Sequence, residues 1–175
     1  MKHKEYSIPF SGLKQGKHRF EYVIEKKFFE SFEYDEFNDA HIGVQVILNK
    51  TSTMLELEFY AKGSVNVDCD ITSEPFEQPI TTDLKLVVKF GDDFNDEDDE
   101  LLVLPHGEHQ VNIAQYVYEM LVLAVPQKRV HPGIEDGTLK SKVLDKLREL
   151  QPKEKKDNKN ENDPRWDALK KLITE

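Results

Sequence analysis

Residues 41–69, HIGVQVILNKTSTMLELEFYAKGSVNVDC, decide the fold. Val44, Val46 and Leu48 alternate along the chain. Leu55, Leu57 and Phe59 alternate with Glu56 and Glu58, and Val65, Val67 and Cys69 alternate with Asn66, Asp68 and Asp70. A period of two with one apolar phase is the pattern of strands with one face buried and one face wet. Turn chemistry separates these runs at Asn49 to Thr53 and at Lys62-Gly63-Ser64. A third turn, Ser73-Glu74-Pro75, leads to Leu84, Leu86, Val88 and Phe90. The expectation is an antiparallel β-meander with one covered face. The pattern leaves open the strand order and whether the sheet partly closes into a barrel.

Working outward toward the N-terminus, Tyr6, Ile8 and Phe10 alternate, as do Phe20, Tyr22 and Ile24. Two short strands are expected on either side of a Gly12 to Gly16 turn region. Glu25 to Phe37 (EKKFFESFEYDEF) fits a helix about as well as a loop and is read as a helix. Toward the C-terminus, Asn112 to Val125 (NIAQYVYEMLVLAV) opens on a capping residue, carries Gln115 as in a capping box and stops before Pro126. Its wide apolar face, Ile113, Tyr116, Val117, Met120, Leu121 and Ala124, suits it to cover the sheet. The class is therefore α+β. Thr138 to Leu150 predicts a second amphipathic helix, ended by Pro152.

Residues 152–162 form a charged linker in which Lys153 to Asn162 (KEKKDNKNEN) holds no apolar residue, so the segment cannot offset its chain entropy by burial. Beyond it, Asp163-Pro164 reads as a helix start. Trp166, Leu169 and Ile173 then lie at i, i+3 and i+7 on one stripe of a terminal helix over 163–175. That helix either folds back on the body or docks on a partner as a tethered anchor. The organisation expected is one α+β domain over 1–151, the linker, and the anchor helix.

At 175 residues the chain suits one domain with tails. It has no apolar run of about 18 residues, so no transmembrane helix is expected. The first twenty residues have no apolar stretch of the kind a secretory signal needs. Cys69 is a lone cysteine and cannot form an internal disulfide, in keeping with a cytoplasmic protein. The formal charge of −10 argues against nucleic acid, since phosphate affinity comes from Lys and Arg. Seven of the negative charges, however, fall between Asp92 and Glu100, and without them the balance is −3. Residues 1–27 carry seven Lys or Arg against three Glu, and residues 140–175 carry eleven against eight acids, so both ends are mildly basic. The acidic stretch lacks the spacing and glycine of a calcium loop and is read as a solvated loop.

No P-loop, dinucleotide fingerprint, nucleophile elbow or His-Glu-x-x-His signature occurs, and no enzyme and no cofactor are expected. His106 and His109, with His131 further on, have the donor chemistry for zinc, but a polar turn at His106-Gly107-Glu108 is the favoured reading and no metal site is expected. Cys69, on the apolar phase of a strand, reads as a packed core thiol whose pKa Asp68 and Asp70 should raise.

Three segments in order resemble one family. Gly63 to Thr72 (GSVNVDCDIT) followed by Pro75-Phe76 and Ile80, the helix from Val111-Asn112-Ile113 through Glu119, Leu121, Leu123 and Ala124 to Pro126, and Asp163-Pro164-Arg165-Trp166 with Leu169 and Leu172 are similar to the YceD proteins. This is a bacterial and plastid family linked to accumulation of large-subunit (23S) ribosomal RNA. Two departures stand out. Thr72 occupies the second position of a Cys-x-x-Cys pair common in relatives, and Val130 to Gly137 replaces further cysteines, so a zinc site of the family is absent or rebuilt here.

The resemblance implies a non-catalytic, RNA-binding ribosome-biogenesis factor of the cytoplasm, supporting accumulation and processing of large-subunit ribosomal RNA. Its partner would be precursor RNA or the nascent large subunit, not DNA and not a membrane. Physical chemistry narrows the contact residues to the basic ends: Lys14, Lys17 and Arg19 at one, and Arg165, Trp166, Leu169, Lys170 and Lys171 at the other. Arg165 beside Trp166 combines a phosphate fork with a base-stacking ring. The alternative is a protein-interaction adaptor whose terminal Trp helix and acidic loop engage a ribosomal or other basic protein.

Overall fold

The computed structural model describes residues 3–98 and 100–150. The chain divides into two units between residues 139 and 140. In the first, eight strands run in the order β1 (Ser7–Pro9), β2 (Gly16–Glu25), β3 (Asp39–Lys50), β4 (Met54–Asp68), β5 (Pro75–Gly91), β6 (Asn95–Asp98), β7 (Leu101–Pro105) and β8 (Gln110–Asn112). Three helices accompany them: α1 (Lys26–Glu30), α2 (Ala114–Ala124) and α3 (Pro132–Glu135). Six strands make one open sheet in the order β2-β3-β4-β5-β7-β6, and β1 pairs with β8 in a second, two-stranded sheet. The sheet does not close into a barrel, a point the sequence left open: β2 and β6 remain separate edges. The strands that flank the Gly12 to Gly16 region are both present, yet they lie in different sheets.

The alternation read from the sequence is the alternation of burial. Even-numbered residues of β3, from Ala40 to Leu48, and odd-numbered residues of β4, from Leu55 to Val67, point into the core. Antiparallel pairing puts Val46 beside Phe59 and Leu48 beside Leu57. Truncating such a side chain costs about 2–5 kcal/mol, because the vacated space does not fully collapse. The expected turn at Lys62-Gly63-Ser64 is not a turn: β4 runs through it without a break. Gly63 lies between Ile42 and Ile80, where an added Cβ would stand 2.6 Å from Ile42 Cα and run into the His41 carbonyl oxygen. Glycine here permits close approach of backbones rather than a reversal.

Neighbouring strands from β2 to β5 are antiparallel, as the meander requires, but β7 joins β5 in parallel. The chain leaves β5, forms β6 at the outer edge, and returns as β7 between the two. Burial explains the order. Leu102 and Leu104 are inside, whereas Asn-Asp-Glu-Asp in β6 is exposed throughout and can only occupy an edge. The acidic stretch is thus partly a strand and not wholly the expected loop.

Helix α2 covers the sheet beside β5, burying Val117, Met120 and Leu121. It starts at Ala114, later than expected, because Asn112 belongs to β8; its Oδ1 accepts from the Ala114 N–H at 3.0 Å. Gln115 makes no capping box and donates forward to Glu119. Between Glu25 and Phe37 only the five residues of α1 are helical, and the rest is an aromatic wedge. His3, Phe32 and Tyr118 stack in sequence at 4.5 and 4.4 Å, with Phe29 packed edge-on against Phe37.

In the second unit the described residues form α4 (Lys142–Leu150). It begins after the expected Thr138, which a turn holds: Asp136 Oδ1 accepts from both its N–H and its hydroxyl.

Candidate functional site

The first candidate is a basic corner at the start of β2. Gly16, at φ 119°, lets the chain turn into the strand. Lys17 and Arg19 then take exposed positions, alternating with the half-buried His18 and Phe20. Lys14 precedes them in an exposed loop. Two clamps hold that loop: His18 Nε2 hydrogen-bonds the Lys14 carbonyl at 2.8 Å, and Lys50 Nζ donates to the carbonyls of Phe10 and Leu13 at 2.7 and 2.9 Å. Among the described residues, Lys14, Lys17 and Arg19 form no ion pair. The structure therefore places these three cations at one edge of the sheet, none of them tied up in an ion pair with a described residue. Arg165, Trp166, Leu169, Lys170 and Lys171 lie outside the described residues. Lys50, which ties down the loop, is not visible as a functional residue in the sequence, since nothing local marks a lysine that spans 37 residues to its acceptor.

The second candidate is the turn after β4. Cys69 is buried at 2% exposure, as a core thiol should be. Its Sγ accepts the His131 N–H at 3.3 Å, so the segment Val130 to Gly137 folds directly against it. Ser73, at φ 57°, reverses the chain, and Phe76 sets its ring 5.5 Å from that of His131. Arg129 closes the arrangement. Its N–H donates to Asp70 Oδ2 at 2.7 Å, its carbonyl accepts the Asp70 N–H at 2.8 Å, and its guanidinium reaches Asp70 at 3.7 Å and Glu36 at 3.4 Å.

The acidity of Cys69 runs opposite to expectation. Burial pushes the thiol up, but the Thr72 hydroxyl and the N–H groups of His131, Ile71 and Thr72 outweigh it, leaving the pKa below its ordinary value. The flanking carboxylates do not dominate because both are engaged elsewhere, Asp68 with Asn38 at 2.7 Å and Asp70 with Arg129. These residues do not fit a zinc ion. His131 Nδ1 is occupied by the Gly133 N–H at 2.9 Å, Thr72 supplies a hydroxyl in place of a thiolate, and among the described residues no group of three His, Cys, Asp or Glu is disposed to hold a metal. His106 lies in the polar turn expected at His106-Gly107-Glu108, with the Glu108 N–H bonded to the Pro105 carbonyl, and His109 follows it, its carbonyl accepting the Phe10 N–H at 3.1 Å.

Among the described residues no helix is long and apolar enough to cross a membrane. No curated protein and no solved structure matches the chain. A family model does match, over residues 57–173, and its description is Large ribosomal RNA subunit accumulation protein YceD. The matched span runs from β4 through the Cys69 turn, β5 and α2 to the Asp163-Pro164-Arg165-Trp166 ending. Lys14, Lys17 and Arg19 precede it. With about two thirds of its length inside that match, the chain belongs to the YceD family, whose name ties it to accumulation of the large ribosomal RNA subunit.

Proposed function

We propose that the protein is a non-catalytic factor of the cytoplasm that supports large-subunit ribosomal RNA accumulation by binding precursor RNA or the nascent subunit. The family match carries this reading. The basic corner supports the mode of contact: Lys14, Lys17 and Arg19 lie on an exposed edge without an ion pair among the described residues, while the acidic stretch from Asp92 to Glu100 repels phosphate at the other edge. Arg165, Trp166, Leu169, Lys170 and Lys171 form the second part of the contact, with the indole stacking on an unpaired base.

The full chain should co-sediment with large-subunit precursors, and association should weaken steeply as salt rises. Replacing Lys14, Lys17 and Arg19 by Glu should reduce association and flatten the salt dependence, by roughly 0.7–0.9 in log–log slope for each phosphate that is no longer neutralised. Trp166→Ala should weaken association without changing that slope. Co-sedimentation of the triple variant with unaltered salt dependence sinks the assignment to the basic corner.

A further inference from the structure

We propose that the groove bounded by β6, β7, β8 and the start of α2 docks a lysine- and arginine-rich segment of another protein. The groove encloses about 570 Å³. Among the described residues four carboxylates line it, Asp96, Asp98, Glu108 and Glu119, against one cation, Lys4. Its apolar lining comes from Leu102, Leu104, Phe94 and Tyr116. Phe94 is 57% exposed, a large ring with little to cover it at the mouth of the groove. The Tyr116 hydroxyl reports the local field: burial first, then the negative charge of Asp96 and Glu119, pushes its pKa up to about 12.

Each alternative occupant meets a physical objection. A phosphate backbone would set its charge against four carboxylates. A second copy of this edge would bring Asp96, Glu97 and Asp98 against their own counterparts, which like-charge repulsion opposes. A wholly apolar segment would bury the carboxylates without partners. Lysine and arginine satisfy both parts of the surface, laying aliphatic stems on Leu104 and Tyr116 while their heads reach the rim, and Phe94 adds a ring face for a cation. Apart from Lys4 and Ser7, the groove's lining lies within the family-matched span, and it is separate from the basic corner, so the two surfaces can be tested independently.

The test uses the full chain and a fluorescently labelled peptide of alternating Lys and Leu, measured by anisotropy at physiological salt. Asp96→Asn together with Glu119→Gln should weaken binding at least about tenfold, the scale expected when two ion pairs across an interface are removed. Both side chains are exposed, so folding should survive. Glu21→Gln with Glu56→Gln removes the same charge from the far face of the sheet and should leave affinity within about twofold. A peptide of alternating Lys and Ser should bind more weakly than its Lys-Leu counterpart, as an apolar lining requires. Equal losses from the two double variants would mean a general charge effect and overturn the proposal. So would no binding at physiological salt, or displacement of the peptide by an RNA hairpin from the variant lacking Lys14, Lys17 and Arg19.

Discussion

Lys17 and Asp98 stand at opposite ends of one register row across the sheet, through Asn49, Glu56, Val87 and Leu101. At about 4.8 Å per strand, five steps separate them by about 24 Å. That is several times the screening length of about 8 Å at physiological ionic strength, so the basic and acidic edges act as independent poles. One molecule thus carries a basic corner and an acidic edge without either neutralising the other.

The basic pole depends on Lys50, because its ammonium closes the loop that carries Lys14. Lys50→Met keeps the aliphatic stem and removes the donor. It should lower thermal stability by the equivalent of about 1–2 kcal/mol and weaken precursor association several-fold while leaving the circular dichroism spectrum unchanged. Association equal to the parent's would show that loop order is irrelevant to binding.

Gly63 and Gly43 make a matched pair on adjacent strands. An added methyl at Gly63 meets backbone at 2.6 Å, whereas at Gly43 the nearest atom is the Lys62 carbonyl oxygen at 3.7 Å. Gly63→Ala should cost about 2–3 kcal/mol and drop Tm by several degrees. Gly43→Ala should stay within about 0.5 kcal/mol of the parent, since the smaller entropy of the unfolded chain offsets any local cost. Similar melting curves for the two variants would show that β4 is not continuous through Gly63.

The Thr72 hydroxyl helps to lower the Cys69 thiol pKa, and Thr72→Val should therefore raise it, read as the midpoint of thiolate absorbance against pH. The sign for stability follows from linkage. A thiol whose folded pKa lies below the ordinary 9.0 contributes stability that is full above that value and is lost as pH falls through the folded midpoint. The stability difference between parent and variant should consequently widen as pH rises toward 9. A difference that narrows over that interval would place the dominant effect elsewhere.

Asp70 should matter more than its ion-pair partner. Arg129→Ala removes partly exposed ion pairs worth at most about 1 kcal/mol, and both backbone bonds to Asp70 survive. Asp70→Ala removes the same pair and also the acceptor for the Arg129 N–H. Chemical denaturation should rank Asp70→Ala below Arg129→Ala by about 1 kcal/mol. The reverse ranking would show that the guanidinium, not the backbone, pins this segment.

Period-two alternation determined which residues face the core, from Ala40 to Leu48 and from Leu55 to Val67, and the apolar stripe of α2 determined what would cover them. The continuity of β4 was not read from that pattern, because glycine between polar neighbours mimicked a turn, although Ala61 and Val65 keep the odd phase on either side of it. The ordered motifs around Cys69, Ala124 and Trp166 determined the family. Only the tertiary structure decided the partners. Local pattern gives a strand its faces but not its neighbours, and β1 with β8, β7 beside β5, and Cys69 with His131 join residues far apart in the chain. Such pairings form only when burial summed over the whole core exceeds the entropy of closing long loops. The same long-range competition sent Leu102 inward and Asp98 to the edge, and so made a groove that no run of residues encodes by itself.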